Sequence, residues 1–313
     1  MEEILFLDPV FKHNIWGGSK LRDDFGYQID GEDIGECWGI AAHENGDCHI
    51  KNGKYAGQKL SQLWKEHQEL FGNVGGDKFP LLIKIIDAKD DLSIQVHPDD
   101  AYAKLNEGGS LGKTECWYVI DCPRDASLVI GHNASSKSEL AQMIEDKDWK
   151  GLIRQIPVHK GDFIQINPGT VHAIKAGFLI LETQQNSDVT YRLYDYDRLS
   201  NGKPRELHID KSIDVINAPA ISAKDSVIDA SDFNSLANQL KPLYECEYYK
   251  VFKMEVQGKN KFKNDYPFML FSVLEGQGQI NGRDIKKGDH FIIPSGVEMI
   301  EIEGYVEAIA STV

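Results

Sequence analysis

Three short segments of this 313-residue chain hold residue types that could bind a metal ion and do chemistry beside it. The first, SIQVHP, predicts a strand with Ser93, Gln95 and His97 on one face, because alternate residues of a strand share a face. In the second, GKTECW, the same rule places Lys113 and Glu115 together. Both segments therefore present polar side chains on one face of a strand.

The third segment, PGTVH, has a tight turn that delivers a histidine to the start of another strand. If the three strands meet at the mouth of a barrel, four donors surround one cation: Gln95, His97, Glu115 and His172. Two imidazoles, a carboxylate and an amide oxygen suit a borderline ion such as zinc, with a position left open for water or substrate. A single histidine is more often structural than a ligand, so the prediction depends on the joint pattern.

Short strands punctuated by Gly, Pro and Asp should position these residues. Examples are predicted at 92–97, 115–120, 162–167 and 178–183. Helical signals are fewer and are predicted over 58–72, from Pro98 onward, over 136–156 and near Ser231. This mixture predicts a mainly β fold, a barrel or sandwich with small helical insertions.

An internal similarity suggests two barrels. Residues 158–174 and 285–302 each contain Lys-Gly-Asp, then an apolar strand, then Pro and Gly, but only the first copy ends in a histidine. We therefore expect a metal-binding catalytic domain over 1–235 and a C-terminal barrel without metal ligands over 236–313.

The composition argues against several classes of partner. Lys and Arg number 34 against 49 Asp and Glu, and the net charge of -15 disfavours nucleic acid and anionic membrane surfaces. We find neither a secretory signal nor an apolar stretch approaching the roughly 20 residues of a membrane span. The five cysteines follow no disulfide framework, which favours a cytoplasmic location. The oligomeric state is not indicated.

Several stretches are similar to the type I mannose-6-phosphate isomerases, in their shorter bacterial form. They are NIWGG, IGECW, FPLLIKIIDAKDDLSIQVHPDD, GKTECWYV, NPGTVHAI and LETQQNSDVTYRLYDYDR, which together span roughly residues 11–210. QVHPDD with GKTE is specific to this family, whereas PGTVHA occurs in many cupin barrels. The resemblance implies cupin-type (jelly-roll) barrels, one zinc ion per chain, and interconversion of mannose 6-phosphate and fructose 6-phosphate.

The resemblance also implies roles for individual residues. The family's zinc ligands fall on Gln95, His97, Glu115 and His172. Its active-site arginine falls on Arg192, and its other site-lining residues fall on Trp16, Glu36, Lys84, Ser93 and Lys113.

Such an isomerisation moves a proton between C1 and C2 through a cis-enediol. Lys113 and Arg192 are expected to stabilise the negative charge that develops on oxygen. Arg192 is limited to this role and to orienting the substrate, since an arginine cannot act as a base. The base is left open between Lys113 with a lowered pKa, a metal-bound water and Glu36. No phosphate-binding loop motif is present, so dispersed Lys, Arg and Ser side chains must hold the phosphate.

Two other functions are compatible with a cupin barrel. One is an iron-dependent oxygenase with two histidines and one glutamate, and the other is a sugar-binding cupin without catalytic activity. The fourth ligand, Gln95, and the lysines on the site face favour the isomerase over the oxygenase. The intact ligand set of the first barrel weighs against the sugar-binding cupin.

Overall fold

The computed structural model describes residues 3–222, 225–229 and 238–313. Strands dominate it, as predicted. They are β1 (Leu5–Asp8), β2 (Val10–Gly18), β3 (Ile34–Ile40), β4 (Ala42–His43), β5 (Gly46–Asp47), β6 (His49–Ile50), β7 (Leu81–Asp87), β8 (Ile94–Val96), β9 (Glu115–Asp121), β10 (Ser127–His132), β11 (Ile153–Pro157), β12 (Phe163–Ile166), β13 (His172–Ala173), β14 (Leu179–Gln185), β15 (Tyr191–Tyr194), β16 (Leu199–Ser200), β17 (Lys203–Pro204), β18 (Val227–Ile228), β19 (Gln239–Glu245), β20 (Lys250–Lys263), β21 (Met269–Ile280), β22 (Arg283–Lys286), β23 (His290–Ile293) and β24 (Met299–Thr312).

The helices are short. They are α1 (Lys20–Asp23), α2 (Leu60–Glu66), α3 (Asp100–Asn106), α4 (Lys137–Glu145), α5 (Trp149–Leu152) and α6 (Ile209–Val215), with 3₁₀ turns at Gly53–Tyr55 and Gln68–Phe71. None in the described part of the chain is long and apolar enough to span a bilayer.

Two of the predicted helices are shorter than expected. The segment 58–72 is interrupted at His67, whose φ of -136° and ψ of 55° leave the helical region. The segment 136–156 starts as predicted, with the Ser136 side chain accepting a hydrogen bond from the backbone N–H of Glu139, but its last residues form β11. The prediction failed there because β11 pairs with β10, and tertiary pairing overrides local propensity. The helix expected near Ser231 lies outside the described residues.

Two antiparallel sheets face each other in the N-terminal part of the chain. One has seven strands in the order β18-β12-β9-β14-β7-β3-β2, and the other has five in the order β11-β10-β13-β8-β15. Buried apolar side chains from both sheets pack between them, including Ile86, Trp117, Leu128, Ile130, Ile164 and Ile180. Polar side chains on these inner faces must therefore share the inter-sheet space.

A third sheet covers the other face of the seven-stranded sheet. It combines β19–β24 with β1 and β6, and Leu5 of β1 is paired with Ile292 of β23. Ile85 and Leu181 of the seven-stranded sheet pack in one core with residues of this third sheet such as Leu270. The seven-stranded sheet is thus buried on both faces, which explains the unbroken burial of β7. The mainly β fold is confirmed, whereas closure into two barrels and the division at residue 235 stay predictions.

Candidate metal centre and active site

Side chains from three strands meet between the two facing sheets. His97 directly follows β8 and His172 opens β13, both in the five-stranded sheet, whereas Glu115 opens β9 of the seven-stranded sheet. One ligand atom from each lies within 4.8 Å of the other two, and all three residues are buried. These three predicted side chains therefore converge.

The spacing of the three donor atoms suits one small cation. His97 Nε2 and His172 Nε2 are each 3.3 Å from an oxygen of Glu115 and 3.1 Å from one another. In a tetrahedral site with ligand bonds of about 2.0–2.1 Å, donor atoms lie about 3.3–3.4 Å apart. The separation of the two nitrogens, and that of His97 Nε2 from Oε2 and of His172 Nε2 from Oε1, lie within a few tenths of an ångström of such an edge.

Backbone carbonyls fix the direction of both imidazoles. His97 Nδ1 donates to the carbonyl of Val189 at 2.9 Å, and His172 Nδ1 donates to the carbonyl of Thr170 at 2.8 Å. A carbonyl oxygen can only accept, so the proton of each neutral ring is on Nδ1 and the Nε2 lone pair faces the centre. Burial, followed by the charge of Lys113, lowers the pKa of His97 to about 3, and burial also lowers the pKa of His172. Both rings are therefore neutral, as metal ligands must be.

Glu115 is available as an anionic ligand. Burial by itself would raise its pKa, but Lys113 Nζ lies 2.8 Å from Oε2 and its positive charge holds the pKa of Glu115 well below its usual range. Apart from that ion pair, neither carboxylate oxygen accepts a hydrogen bond from a described residue. A buried, anionic carboxylate beside two imidazole lone pairs, with Oε1 free of hydrogen bonds from the described residues, fits a divalent cation.

Gln95 lies next to this group. It is paired with His172 across β8 and β13 and is two residues from His97, so it shares a strand face with that histidine. It also lines the cavity beside the group. Its role as the fourth ligand stays a prediction.

A cavity of about 330 Å³ lies beside this group and is lined by its neighbours Gln95 and Lys113. Every substrate-binding or catalytic residue predicted from the sequence lines it: Trp16, Glu36, Lys84, Ser93, Lys113 and Arg192. The sequence reasoning did not single out several other lining residues, notably Glu182, Asp188, Arg205 and His208.

Buried charges of both signs form one wall of the cavity. Glu182 Oε1 is 3.4 Å from Lys84 Nζ and 4.0 Å from Lys113 Nζ, while Lys84 also lies 3.9 Å from Glu36. The other oxygen of Glu182 accepts a hydrogen bond from the indole of Trp117 at 3.0 Å. Burying such charges is costly, so their concentration here is typical of a functional site.

Cationic side chains gather at another part of the wall. Arg205 donates through Nε and Nη2 to both oxygens of Asp195. Arg192 pairs in register with Gln95, and burial together with the charge of Arg205 lowers the pKa of Arg192. The backbone N–H of Arg192 donates to Nδ1 of His208, so a neutral His208 carries its proton on Nε2. This wall therefore offers positive charge and N–H donors.

Comparisons with known proteins agree with this geometry. Residues 4–120 match the family described as "Phosphomannose isomerase type I, catalytic domain", and residues 239–313 match "Mannose-6-phosphate isomerase, cupin domain". The chain is 51% identical over 314 residues to "Mannose-6-phosphate isomerase ManA" of Bacillus subtilis, covering 99% of this chain and 98% of that protein.

The chain belongs to the type I phosphomannose isomerase family.

Other members of the type I phosphomannose isomerase family are similar over their full length. "Mannose-6-phosphate isomerase" of Streptococcus mutans is 47% identical over 318 residues, with 99% of this chain and 98% of that one covered. The crystal structure of the mannose 6-phosphate isomerase from Bacillus subtilis superposes with a TM-score of 0.92 at 46% identity, and the match covers all of both chains. Family membership favours the isomerase over the oxygenase and the sugar-binding cupin.

The charges around Lys113 argue against its use as the proton-transfer base. A base at this position needs a lowered pKa, and burial does act in that direction. Burial is the largest single influence, but the carboxylates of Glu115 and Glu182 together outweigh it and raise the pKa of Lys113 above its usual range. Among the groups of this chain, Lys113 is thus a cation and a hydrogen-bond donor.

Proposed function

We propose that the chain interconverts mannose 6-phosphate and fructose 6-phosphate as a zinc-dependent aldose–ketose isomerase, with one zinc ion per chain. The observation that carries this proposal is the group His97, Glu115 and His172 beside a charged cavity of about 330 Å³. Full-length identity of about half to relatives named mannose-6-phosphate isomerase supports the choice of substrate.

The donor set supports zinc as the ion, with Gln95 as the fourth ligand. Two neutral imidazoles and a carboxylate form a borderline set that suits zinc better than magnesium or calcium, which prefer oxygen. A bound zinc ion would polarise the substrate carbonyl and its neighbouring hydroxyl. The buried Lys113 ammonium and the Arg192 guanidinium add positive charge where oxygen becomes negative in a cis-enediol-type intermediate.

Glu182 is our choice for the base that moves the proton between C1 and C2. Its Oε1 is buried and accepts no hydrogen bond in the described part of the chain, although the residue lines the cavity. Burial and the nearby charge of Glu115 raise the pKa of Glu182, which brings a carboxyl group closer to the range where it can both take and return a proton. Glu36 is the alternative, because it also lines the cavity.

We propose that the phosphate binds at the wall formed by Arg205, Arg192 and His208. Two guanidinium groups and an imidazole N–H supply charge-assisted and neutral hydrogen bonds to phosphate oxygens. Asp195 holds the Arg205 fork through Nε and Nη2, which leaves Nη1 without a partner among the described residues. Ser93 contributes a hydroxyl on the same cavity.

Five cysteines without a disulfide support the expected cytoplasmic location. The deciding experiment is a coupled assay of mannose 6-phosphate conversion on purified protein, with glucose 6-phosphate as the control substrate and metal analysis of the same sample. Turnover of mannose 6-phosphate with one zinc per chain would support the proposal. No turnover by zinc-loaded, folded protein would refute it.

A further inference from the structure

The segment 112–114, which carries Lys113, has a hydrogen-bond acceptor for each of its backbone N–H groups. The backbone N–H of Gly112 donates to the Asp100 carboxylate at 2.7 Å, and that of Lys113 donates to the carbonyl of Pro98 at 3.0 Å. The N–H of Thr114 donates to the side-chain oxygen of Gln185 at 2.8 Å. All three N–H groups are thus fixed, and two of them depend on side chains.

Asp100 links these side-chain contacts. Besides the N–H of Gly112, its carboxylate accepts from the Gln185 side-chain amide at 3.1 Å and from the Tyr248 hydroxyl at 2.9 Å. Gln185 in turn holds Thr114, so the Asp100 carboxylate orients both ends of the segment around Lys113.

Tyr248 comes from a distant part of the chain. It lies in the turn that joins β19 to β20, in the third sheet, and none of the described residues from 238 onward lines the candidate active-site cavity. Its hydroxyl is the third donor to Asp100, on Oδ2, while Gly112 is bonded to Oδ1. The hydroxyl therefore restrains rotation of the carboxylate that holds the Lys113 segment.

Close backbone packing couples the Asp100 carboxylate to the position of Lys113. A Cβ on Gly112 would lie 2.5 Å from backbone atoms of Asp99 and Asp100, so the segment is pressed against the start of α3. Lys113 Nζ sits 2.8 Å from Glu115 and 4.0 Å from Glu182. A small shift of the segment moves the ammonium relative to both carboxylates.

We propose that Tyr248 is a positioning residue for Lys113, through which the C-terminal sheet controls the chemical step without touching the substrate. The inference rests on the proposed function, because it assumes that Lys113 contacts the reacting oxygens. A displacement of about 1 Å at such a contact can lower turnover up to about 100-fold. A single lost hydrogen bond in the chain of contacts displaces it less, so we expect kcat to fall about tenfold.

The test variant is Tyr248→Phe, which removes the hydroxyl and leaves the ring. The matched control is Tyr244→Phe. Tyr244 lies nearby on β19, its ring stacks on Phe163, and its hydroxyl makes no hydrogen bond to a described residue. We expect Tyr248→Phe to lower kcat for mannose 6-phosphate about tenfold, with KM within twofold, metal content unchanged and the thermal midpoint close to that of the control. Tyr244→Phe should match the wild type.

Two further measurements separate positioning from a general loss of structure. Hydrogen exchange at the amides of 112–114 should become faster in Tyr248→Phe and stay unchanged in Tyr244→Phe, whether or not the chain is an isomerase. In the background of Lys113→Arg, which moves the cation, adding Tyr248→Phe should lower kcat less than twofold, because residues acting through one another are not additive.

Each outcome decides the proposal. Wild-type kcat in Tyr248→Phe, or an equal loss in both Lys113 backgrounds, would overturn it while leaving the isomerase function in place. Loss of metal or of thermal stability in Tyr248→Phe would make Tyr248 a structural residue and would also overturn it. An inactive, zinc-loaded wild type would overturn the proposed function as well, and the exchange measurement would then report separately on the contact.

Discussion

His97 Nε2 and His172 Nε2 lie 3.1 Å apart, although both rings donate from Nδ1 to a backbone carbonyl. Their lone pairs consequently face one another at short range, beside the anionic Glu115. The Lys113 ammonium, 3.3 Å from His97 Nε2, offsets part of the resulting repulsion, and a cation bound between the donors would offset the rest. The surrounding backbone therefore orients the donors of the candidate metal site in advance, and a bound ion would stabilise it.

The first prediction concerns the ligands. His172→Ala should reduce zinc content to well below one per chain and reduce turnover in parallel, because it deletes one of the donors that converge on the ion. The fold should persist, since His172 is one buried residue at the beginning of a two-residue strand. Metal analysis and far-ultraviolet circular dichroism on the same sample test this, and full zinc content in the variant would contradict the site.

His290→Ala is the matched control for that variant. His290 is equally buried and is bonded to Ser272 at 2.8 Å and to Tyr27 at 2.9 Å, away from the metal group. Its loss should cost about 1–3 kcal/mol of stability, because buried partners are left unsatisfied. The folded variant should still bind zinc and turn over substrate like the wild type.

The second prediction concerns the base. Glu182→Gln keeps the size of the side chain and its contact with Trp117 but cannot accept the substrate proton, so kcat should fall by about 10²–10⁴ with zinc content unchanged. Glu36→Gln should lower kcat much less. Steady-state kinetics with metal analysis tests both, and the reverse order of effects would transfer the role to Glu36.

The strand pattern was enough to predict most of the candidate site. Alternation along a strand predicts Gln95 and His97 on one face and Lys113 beside Glu115, because side-chain direction in a strand follows residue number. Lys113 and Glu115 do lie together, with Nζ 2.8 Å from Oε2. The meeting of His172 with these residues depends on the pairing of β13 with β8, which no local pattern specifies. That meeting was inferred from the joint occurrence of ligand types.

The missed residues have a common physical reason. Glu182 is the single acid within the buried strand LILETQQ. Because charged residues are rarely fully buried, a lone acid in such a strand indicates a functional role, and the sequence prediction did not include it. Arg205 and His208 come from the loop before α6, and only the tertiary structure brings that loop to the cavity. The same holds for Tyr248, whose contact with Asp100 spans 148 residues.

The third prediction concerns the phosphate. Arg205→Ala should raise KM for mannose 6-phosphate at least about tenfold and weaken inhibition by inorganic phosphate to a similar degree, with kcat changed less than about threefold, since a charge-assisted hydrogen bond contributes roughly 1.5–3 kcal/mol. Arg198→Ala is the control, because Arg198 bonds to the same Asp195 but does not line the cavity. Equal effects of the two variants would assign them to Asp195 and the loop, and would remove Arg205 from the phosphate site.

The fourth prediction is a pH dependence of stability that is independent of the metal. Burial, with a smaller effect of Lys51, lowers the pKa of His290 to about 3, below the usual unfolded value of about 6.5. As the pH falls, His290 therefore takes up a proton in the unfolded chain before it does so in the folded chain. Its contribution to the free energy of unfolding is complete above pH 6.5 and is lost as the pH falls towards 3. Between pH 7 and pH 5 the loss amounts to about 2 kcal/mol. Urea unfolding of metal-free protein measures this. The free energy of unfolding should fall between pH 7 and pH 5 by about 2 kcal/mol less in His290→Gln than in the wild type. In His49→Gln, at the exposed His49, it should fall as much as in the wild type. Equal slopes for the wild type and His290→Gln would show that His290 is charged, or accessible to protons, in the folded chain.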